Sequence, residues 1–163
     1  MRICHDRRHH CQNPPPRAGR KRGTFKQAIG RSKGGVTTKI LALSDALGNL
    51  CDFKLLPGQR NDICGVRSLI EGRHFGALLA DKAFDADWLI EELKQKNIEP
   101  VIPPRKGRST ERQYDRGKYK WRHLIENFFC RIKEFKKIAM CCEKTDESFA
   151  ANIYLAATVL RLV

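Results

Sequence analysis

The chain has 163 residues, enough for one domain with its own core. Its 32 Lys and Arg against 18 Asp and Glu leave a formal charge of +14, which favours a polyanionic partner, with nucleic acid the commonest. No apolar run approaches the length of a membrane span and the basic N-terminus leads into no signal-peptide core, while seven irregularly spaced cysteines form no disulfide framework and fit a reducing cytoplasm.

Residues 1–35 are punctuated by Pro14, Pro15 and Pro16 and carry ten Lys or Arg against the single acid Asp6. A stretch with so little to bury reads as a basic, disordered arm that can lie along a phosphate backbone. Cys4, His5, His9, His10 and Cys11 hint at zinc, but the spacing matches no common finger and lacks a second ligand pair. Gly30 to Gly35 resembles a phosphate loop only faintly, because no Lys-Ser/Thr follows the last glycine and no strand precedes it.

Val36 to Leu43 suits a strand, Gly48-Asn49 a turn, and Leu50 to Leu56 a returning strand stopped by Pro57-Gly58. Asp45 is then a turn residue, and Asp52 lies on the solvent face of its strand. After Asn61-Asp62, Ile63, Val66, Leu69 and Ile70 recur at helical spacing up to Gly72. Ala77-Leu78-Leu79-Ala80 is apolar on both faces, as in a buried parallel-type strand, and ends at Asp81. Asp85 or Asp87 can cap the helix holding Trp88, Leu89 and Leu93, which ends near Asn97. Ile98 to Ile102 is a short strand, residues 105–118 a basic connector, and a last helix from about Glu147 to Leu162 packs through Ala151, Leu155, Val159 and Leu162. The order is that of an α/β plan, a mixed sheet covered by helices.

Between the connector and that last helix lies Tyr119 to Lys137. Wound as one helix, it gathers Trp121, Leu124, Ile125, Phe128, Ile132 and Phe135 on an apolar face. Tyr119, Arg122, Glu126 and Lys133 fall beside it within roughly a 60° sector. One reading is a surface helix with Arg122 and Glu126 as a stabilising pair. The other is a metal-holding acid whose basic neighbours hold phosphates. Asp81 has the same two sides: a carboxylate at the mouth of the sheet, where α/β folds place ligands, or a turn cap paired with Lys82. Two acids on rigid elements in a very basic chain suggest metal-dependent phosphodiester chemistry, in which two divalent ions serve the attacking and leaving oxygens. Hard oxygen ligands suit Mg²⁺, or Mn²⁺ in its place.

Tyr119, Arg122, Glu126 and Lys133 also reproduce the Y-x2-R-x3-E-x6-K spacing of DDE-type insertion-sequence transposases. GRSKGGVTTKILALSDALGN, ADKAFDAD, VIPPR and LIENFFCRIKEFKKIA resemble successive blocks of the IS5-type branch, from about Thr24 to Val163 and in order. The resemblance implies an RNase H-like fold over residues 36–163, Mg²⁺ or Mn²⁺ dependence with two ions in an intact site, and strand cleavage and transfer at transposon ends. It makes Asp81 and Glu126 the catalytic and metal-binding acids, and Tyr119, Arg122 and Lys133 the DNA-binding residues. The implied partners are double-stranded DNA, as terminal inverted repeats and target, and further copies of the chain in a synaptic complex. The implied location is the bacterial cytoplasm, at the nucleoid. Ala83 and Phe84 replace the Gly and Tyr usual after the Asp-Lys pair.

The block resembling D-[SA]-T-x-x-R-A-H, which carries the family's first catalytic Asp on the first strand, is matched only at its tail by Arg7 to Cys11. Counting back puts Arg2 where that Asp belongs. The expectation is therefore a catalytic core without its first strand or its preceding helical domain, a truncated or second-frame product inactive alone. The alternative is a catalytically silent DNA-binding remnant.

Overall fold

A computed structural model describes residues 1–6, 28, 30–32, 35–108, 112–140, 143 and 145–162. Most of the basic arm, with His9, His10 and Cys11, lies outside the described residues, as does part of the connector. The chain divides into two compact units: Met1–His5, Leu41–Lys54 and Asn61–Phe129 form one, and Asp6–Ile40, Leu55–Arg60 and Cys130–Val163 the other.

A first strand is present. β1 (Arg2–Asp6) occupies the stretch expected to be arm and fills the place expected to be empty. The other strands are β2 (Gly30–Ser32), β3 (Gly35–Ser44), β4 (Leu50–Pro57), β5 (Ala77–Ala80) and β6 (Glu99–Val101). Their order is β2-β3-β1-β5-β6, with β4 also paired to β3. β1 runs parallel to β5, Arg2 opposite Leu79 and Ile3 opposite Ala80. Composition hides this strand because only Ile3 is strongly apolar, and pairing to β5 rather than local propensity decides its conformation. Ile3, Leu78 and Ala80 are fully buried, as strands covered on both faces require.

In the first unit β5 also pairs in parallel with β6, Ala77 opposite Glu99 and Leu79 opposite Val101. Pro100 interrupts β6 without harm, because that strand ends the sheet order and an edge strand can lack a donor. The β3–β4 turn is built by Asp45, whose carboxylate accepts from the amides of Leu47 at 2.8 Å and Asn49 at 2.9 Å, while Gly48 takes a φ of 91°. A short helix α1 (Val66–Ile70) follows a 3-10 turn at Asp62–Gly65. Helix α2 (Asp87–Gln95) buries Leu89, Ile90 and Leu93 at helical spacing. Asn97, at φ 57°, ends it: the amide of Ile98 bonds the carbonyl of Leu93 at 2.8 Å and that of Asn97 the carbonyl of Lys94 at 3.0 Å.

The stretch from Tyr119 to Lys137 is not one helix. It is α3 (Arg116–Lys120), α4 (His123–Ile132) and α5 (Lys136–Ala139). Tight bonds three residues apart, Arg122 to Tyr119 at 3.0 Å and Phe135 to Ile132 at 3.3 Å, mark the two breaks. Ile125, Phe128 and Ile132 of the expected face are buried and Phe129 joins them, but Trp121 at the first break is 58% exposed. Breaking the helix resets its phase, so an even 100° wheel no longer holds across Trp121.

In the second unit β2 pairs antiparallel with the start of β3, Gly30 opposite Thr37, and the Gly58 amide bonds the Thr37 carbonyl at 3.0 Å. Helix α6 (Asp146–Leu162) packs against α5. Its buried residues are Phe149, Ile153 and Ala156, whereas Leu155 is 65% and Leu162 81% exposed. The expected packing face is thus the wrong one. α6 is apolar on two sides, and helical spacing alone cannot choose between them. Among the described residues, no helix is long and apolar enough to cross a membrane.

Candidate active site at the end of β5

Asp81 follows β5 directly, with extended backbone angles (φ −68°, ψ 159°). Its carbonyl accepts the Phe84 amide at 2.8 Å, opening a single 3-10 turn over Lys82–Phe84. Phe84, fully buried, anchors that turn in the core. The Asp81 side chain is half-exposed, makes no capping bond and forms no ion pair with another described residue. Neither structural use foreseen for it, cap or partner of Lys82, is realised.

Its neighbours in the same unit are differently employed. Asp45 builds a turn, Asp52 pairs with Arg73 at 2.6 Å, and Glu92 pairs with Arg67 and Lys96. Asp115 caps α3 by accepting the Lys118 amide at 2.9 Å, and Glu99 bonds the Lys118 ammonium. Asp85, read from sequence as a helix cap, caps nothing; the N-cap of α2 is Ala86. Its carboxylate is 1% exposed and accepts from the Arg105 amide at 2.9 Å, Arg108 Nη1 at 2.8 Å and Arg112 Nη1 at 2.7 Å. Burial pushes the Asp85 carboxyl up, but these donors outweigh it and hold it below the usual carboxylate range. Arg108 and Arg112 also bond Asp87. Two connector arginines, Arg108 and Arg112, therefore have their charge committed to acids, and the Arg105 guanidinium donates to the carbonyls of Lys82 and Ala83. The only hint in the sequence is a basic segment that follows an acid-bearing one.

Helix α3 packs against β5 and β6 and carries Tyr119. The Tyr119 phenol lies above its usual pKa: burial raises it, Arg122 pulls it back, and the negative charge of Asp81 raises it again. The Arg122 guanidinium sits 5.6 Å from the centre of the Tyr119 ring and donates from Nη2 to Glu126 Oε1 at 2.6 Å. Tyr119, Arg122 and Glu126 thus lie in contact in series, and the Asp81 charge acts on the Tyr119 phenol within the same unit. Lys133, half-buried in the turn after α4, belongs to the other unit.

The Arg122–Glu126 pair is also the ordinary four-residue ion pair foreseen from spacing. With Glu126 48% exposed it contributes only about 0.3–0.5 kcal/mol. Asp81 and Glu126 offer hard carboxylate oxygens, the right donor type for Mg²⁺ or Mn²⁺. Among the described residues, no three His, Cys, Asp or Glu side chains cluster to hold a metal, so the donor set fits in kind and falls short in number. Arg2, at the position where the resemblance puts an Asp, is buried, with Nη1 donating to the Asp45 carbonyl. Its Nε finds no partner among the described residues. An arginine there brings a positive charge and no ligand oxygen.

A family model of the transposase DDE domain matches residues 2–162. A protein of Brucella ovis, named as a candidate transposase for insertion sequence element IS6501, is 36% identical over 132 residues, covering 78% of this chain and 99% of that protein. No solved structure matches. Matched by the family model along almost its whole length and 36% identical to that insertion-sequence protein, the chain belongs to the DDE-domain transposases of insertion sequences.

Proposed function

We propose that the chain is the catalytic core of an IS5-type transposase with an RNase H-like fold, acting on double-stranded DNA at transposon ends. Asp81 and Glu126 hold divalent metal, Mg²⁺ or Mn²⁺. Tyr119, Arg122 and Lys133 hold phosphates of the terminal repeat or of target DNA. The observation that carries this reading is the Asp81 carboxylate, held at a strand end by a turn anchored through buried Phe84, with no structural partner among the described residues. A sheet whose central strand β1 runs parallel to β5 supports the RNase H-like assignment.

What a divalent ion supplies to such a site is polarisation of the phosphodiester and a lowered pKa of the attacking oxygen. The chain's own residues do the rest. Tyr119 stays protonated at neutral pH and can donate to a phosphate oxygen. Arg122, planar and always charged, can exchange one of its donors from Glu126 to phosphate. The Arg122 charge, with the Tyr119 hydroxyl donor beside it, lets an anionic backbone approach two carboxylates.

A second reading, a catalytically silent DNA-binding remnant, is favoured by one observation: buried Arg2 stands where the family resemblance places the first acid. The test is cleavage and joining of a duplex carrying the element's terminal repeat, with Mg²⁺ or Mn²⁺. The chain is expected to do neither, and Arg2→Asp, which restores an acid on β1, is expected to give metal-dependent cleavage that Asp81→Asn abolishes. An Arg2→Asp chain that binds DNA and stays inert supports the remnant. Activity of the unaltered chain that vanishes on Asp6→Asn makes Asp6 the first acid and overturns the inactivity.

A further inference from the structure

We propose that Arg105, seated by Asp85, is a positioning residue for Asp81. It fixes the turn that presents the metal-binding carboxylate and does not itself bind DNA. This deepens the reading of Asp81 as a metal ligand and rests on it.

Lys82–Phe84 is a single 3-10 turn. So short a turn leaves carbonyls pointing outward without helical partners. Asp85 N bonds the Lys82 carbonyl at 3.1 Å, and Arg105 Nε donates to the same carbonyl at 3.1 Å. Arg105 Nη2 donates to the next carbonyl, that of Ala83. One guanidinium therefore clasps two successive carbonyls of the turn whose first bond is accepted by Asp81. The planar fork suits this task, since its donors are held at fixed angles to one another.

Arg105 is itself held. Its amide donates to Asp85 Oδ2, a carboxylate 1% exposed, whose remaining capacity is filled by Arg108 and Arg112. Arg105, Arg108 and Arg112 are thereby fastened to the Asp81 turn and the Asp85 that follows it at five points: two carbonyls, one amide bond and two ion pairs. A few residues on, Asp115 caps α3, which carries Tyr119 and leads to Glu126. The same fastening thus sets the turn bearing one acid and the origin of the helices bearing the other. Partners that orient a metal ligand typically change metal affinity by 10–100-fold when removed.

The experiment measures Mn²⁺ binding to the full chain by calorimetry, in wild type, Arg105→Ala, Arg105→Lys and Asp81→Asn, with far-UV circular dichroism and the salt slope of duplex binding in EDTA measured alongside. The expected result is about tenfold weaker Mn²⁺ binding in Arg105→Ala with an unchanged spectrum and salt slope. Arg105→Lys, which keeps one donor, should recover part of the loss. Where Arg105→Ala fails to fold, Arg105→Lys is the variant read, and wild-type affinity in it overturns the proposal. Wild-type Mn²⁺ affinity in Arg105→Ala, with Asp81→Asn weakened, overturns the positioning role and leaves the metal assignment standing. Wild-type affinity in both overturns the metal assignment and the positioning role with it. A salt slope reduced by about one contact in Arg105→Ala identifies Arg105 as a phosphate ligand and overturns the proposal.

Discussion

Arg122 reaches across the break between α3 and α4 to Glu126, Nη2 to Oε1 at 2.6 Å. Arg122 lies outside both helices, yet the four-residue spacing survives because the break is a tight turn and not a reversal. Since the pair is half-exposed, Arg122→Gln should lower Tm by no more than about 4 °C, the shift that ~1 kcal/mol produces in a domain of this size. A larger fall in a thermal melt identifies the pair as the element that holds the two helices in line.

If Asp81 and Glu126 serve one metal, their losses cannot add. Asp81→Asn and Glu126→Gln should each weaken Mn²⁺ binding at least about tenfold, and the double variant should be little worse than either. Strict additivity in titration calorimetry means the two carboxylates act on separate ions.

DNA binding should depend strongly on salt and little on sequence, because phosphate neutralisation dominates for a basic chain. Neutralising Arg122 and Lys133 together should flatten the plot of log K against log salt by about two contacts' worth. Arg108→Gln should leave the slope within about half a contact, because Arg108 is committed to Asp85 and Asp87. The reverse pattern in filter-binding titrations places the phosphate contacts on the connector.

Asp85 should govern the acid limb of stability. Burial raises its carboxyl and the Arg105 amide with Arg108 and Arg112 lower it further, so its folded pKa lies below the unfolded value of about 3.9. Its stabilisation is in full force above that value and is lost as pH falls through the folded pKa. Asp85→Asn should therefore cost on the order of 3 kcal/mol at neutral pH and flatten the fall in Tm between about pH 5 and pH 2. An unaltered acid limb transfers that role to Asp45, also held low despite burial by its turn bonds to Asn49, Leu47 and Gly48.

Several elements are legible in the sequence because their cause is local. The apolar run Ala77 to Ala80 reads as a strand covered on both faces, and it carries Asp81 to the strand end. Asp45 with Gly48 makes the β3–β4 turn from its own side chain and φ, and Asn97 ends α2 by the same kind of short-range bonding. The spacing of Tyr119, Arg122 and Glu126 also needs no tertiary partner.

Tertiary structure decided the rest. Arg2–Asp6 is basic and polar enough to read as an arm, and becomes a strand because β3 and β5 flank a vacancy that its backbone bonds fill. Trp121 satisfies the helical wheel and is exposed, because the helix breaks beside it; α6 has two apolar sides, and packing against α5 accompanies burial of the side with Phe149 and Ile153. Asp85 looks like a cap from its place before α2, but three arginines 20 to 27 positions later reach it first. Periodicity and spacing carry only what a residue does to its near neighbours. Which face is buried, and which charge meets which, depends on groups distant in sequence, and those meet only in the fold.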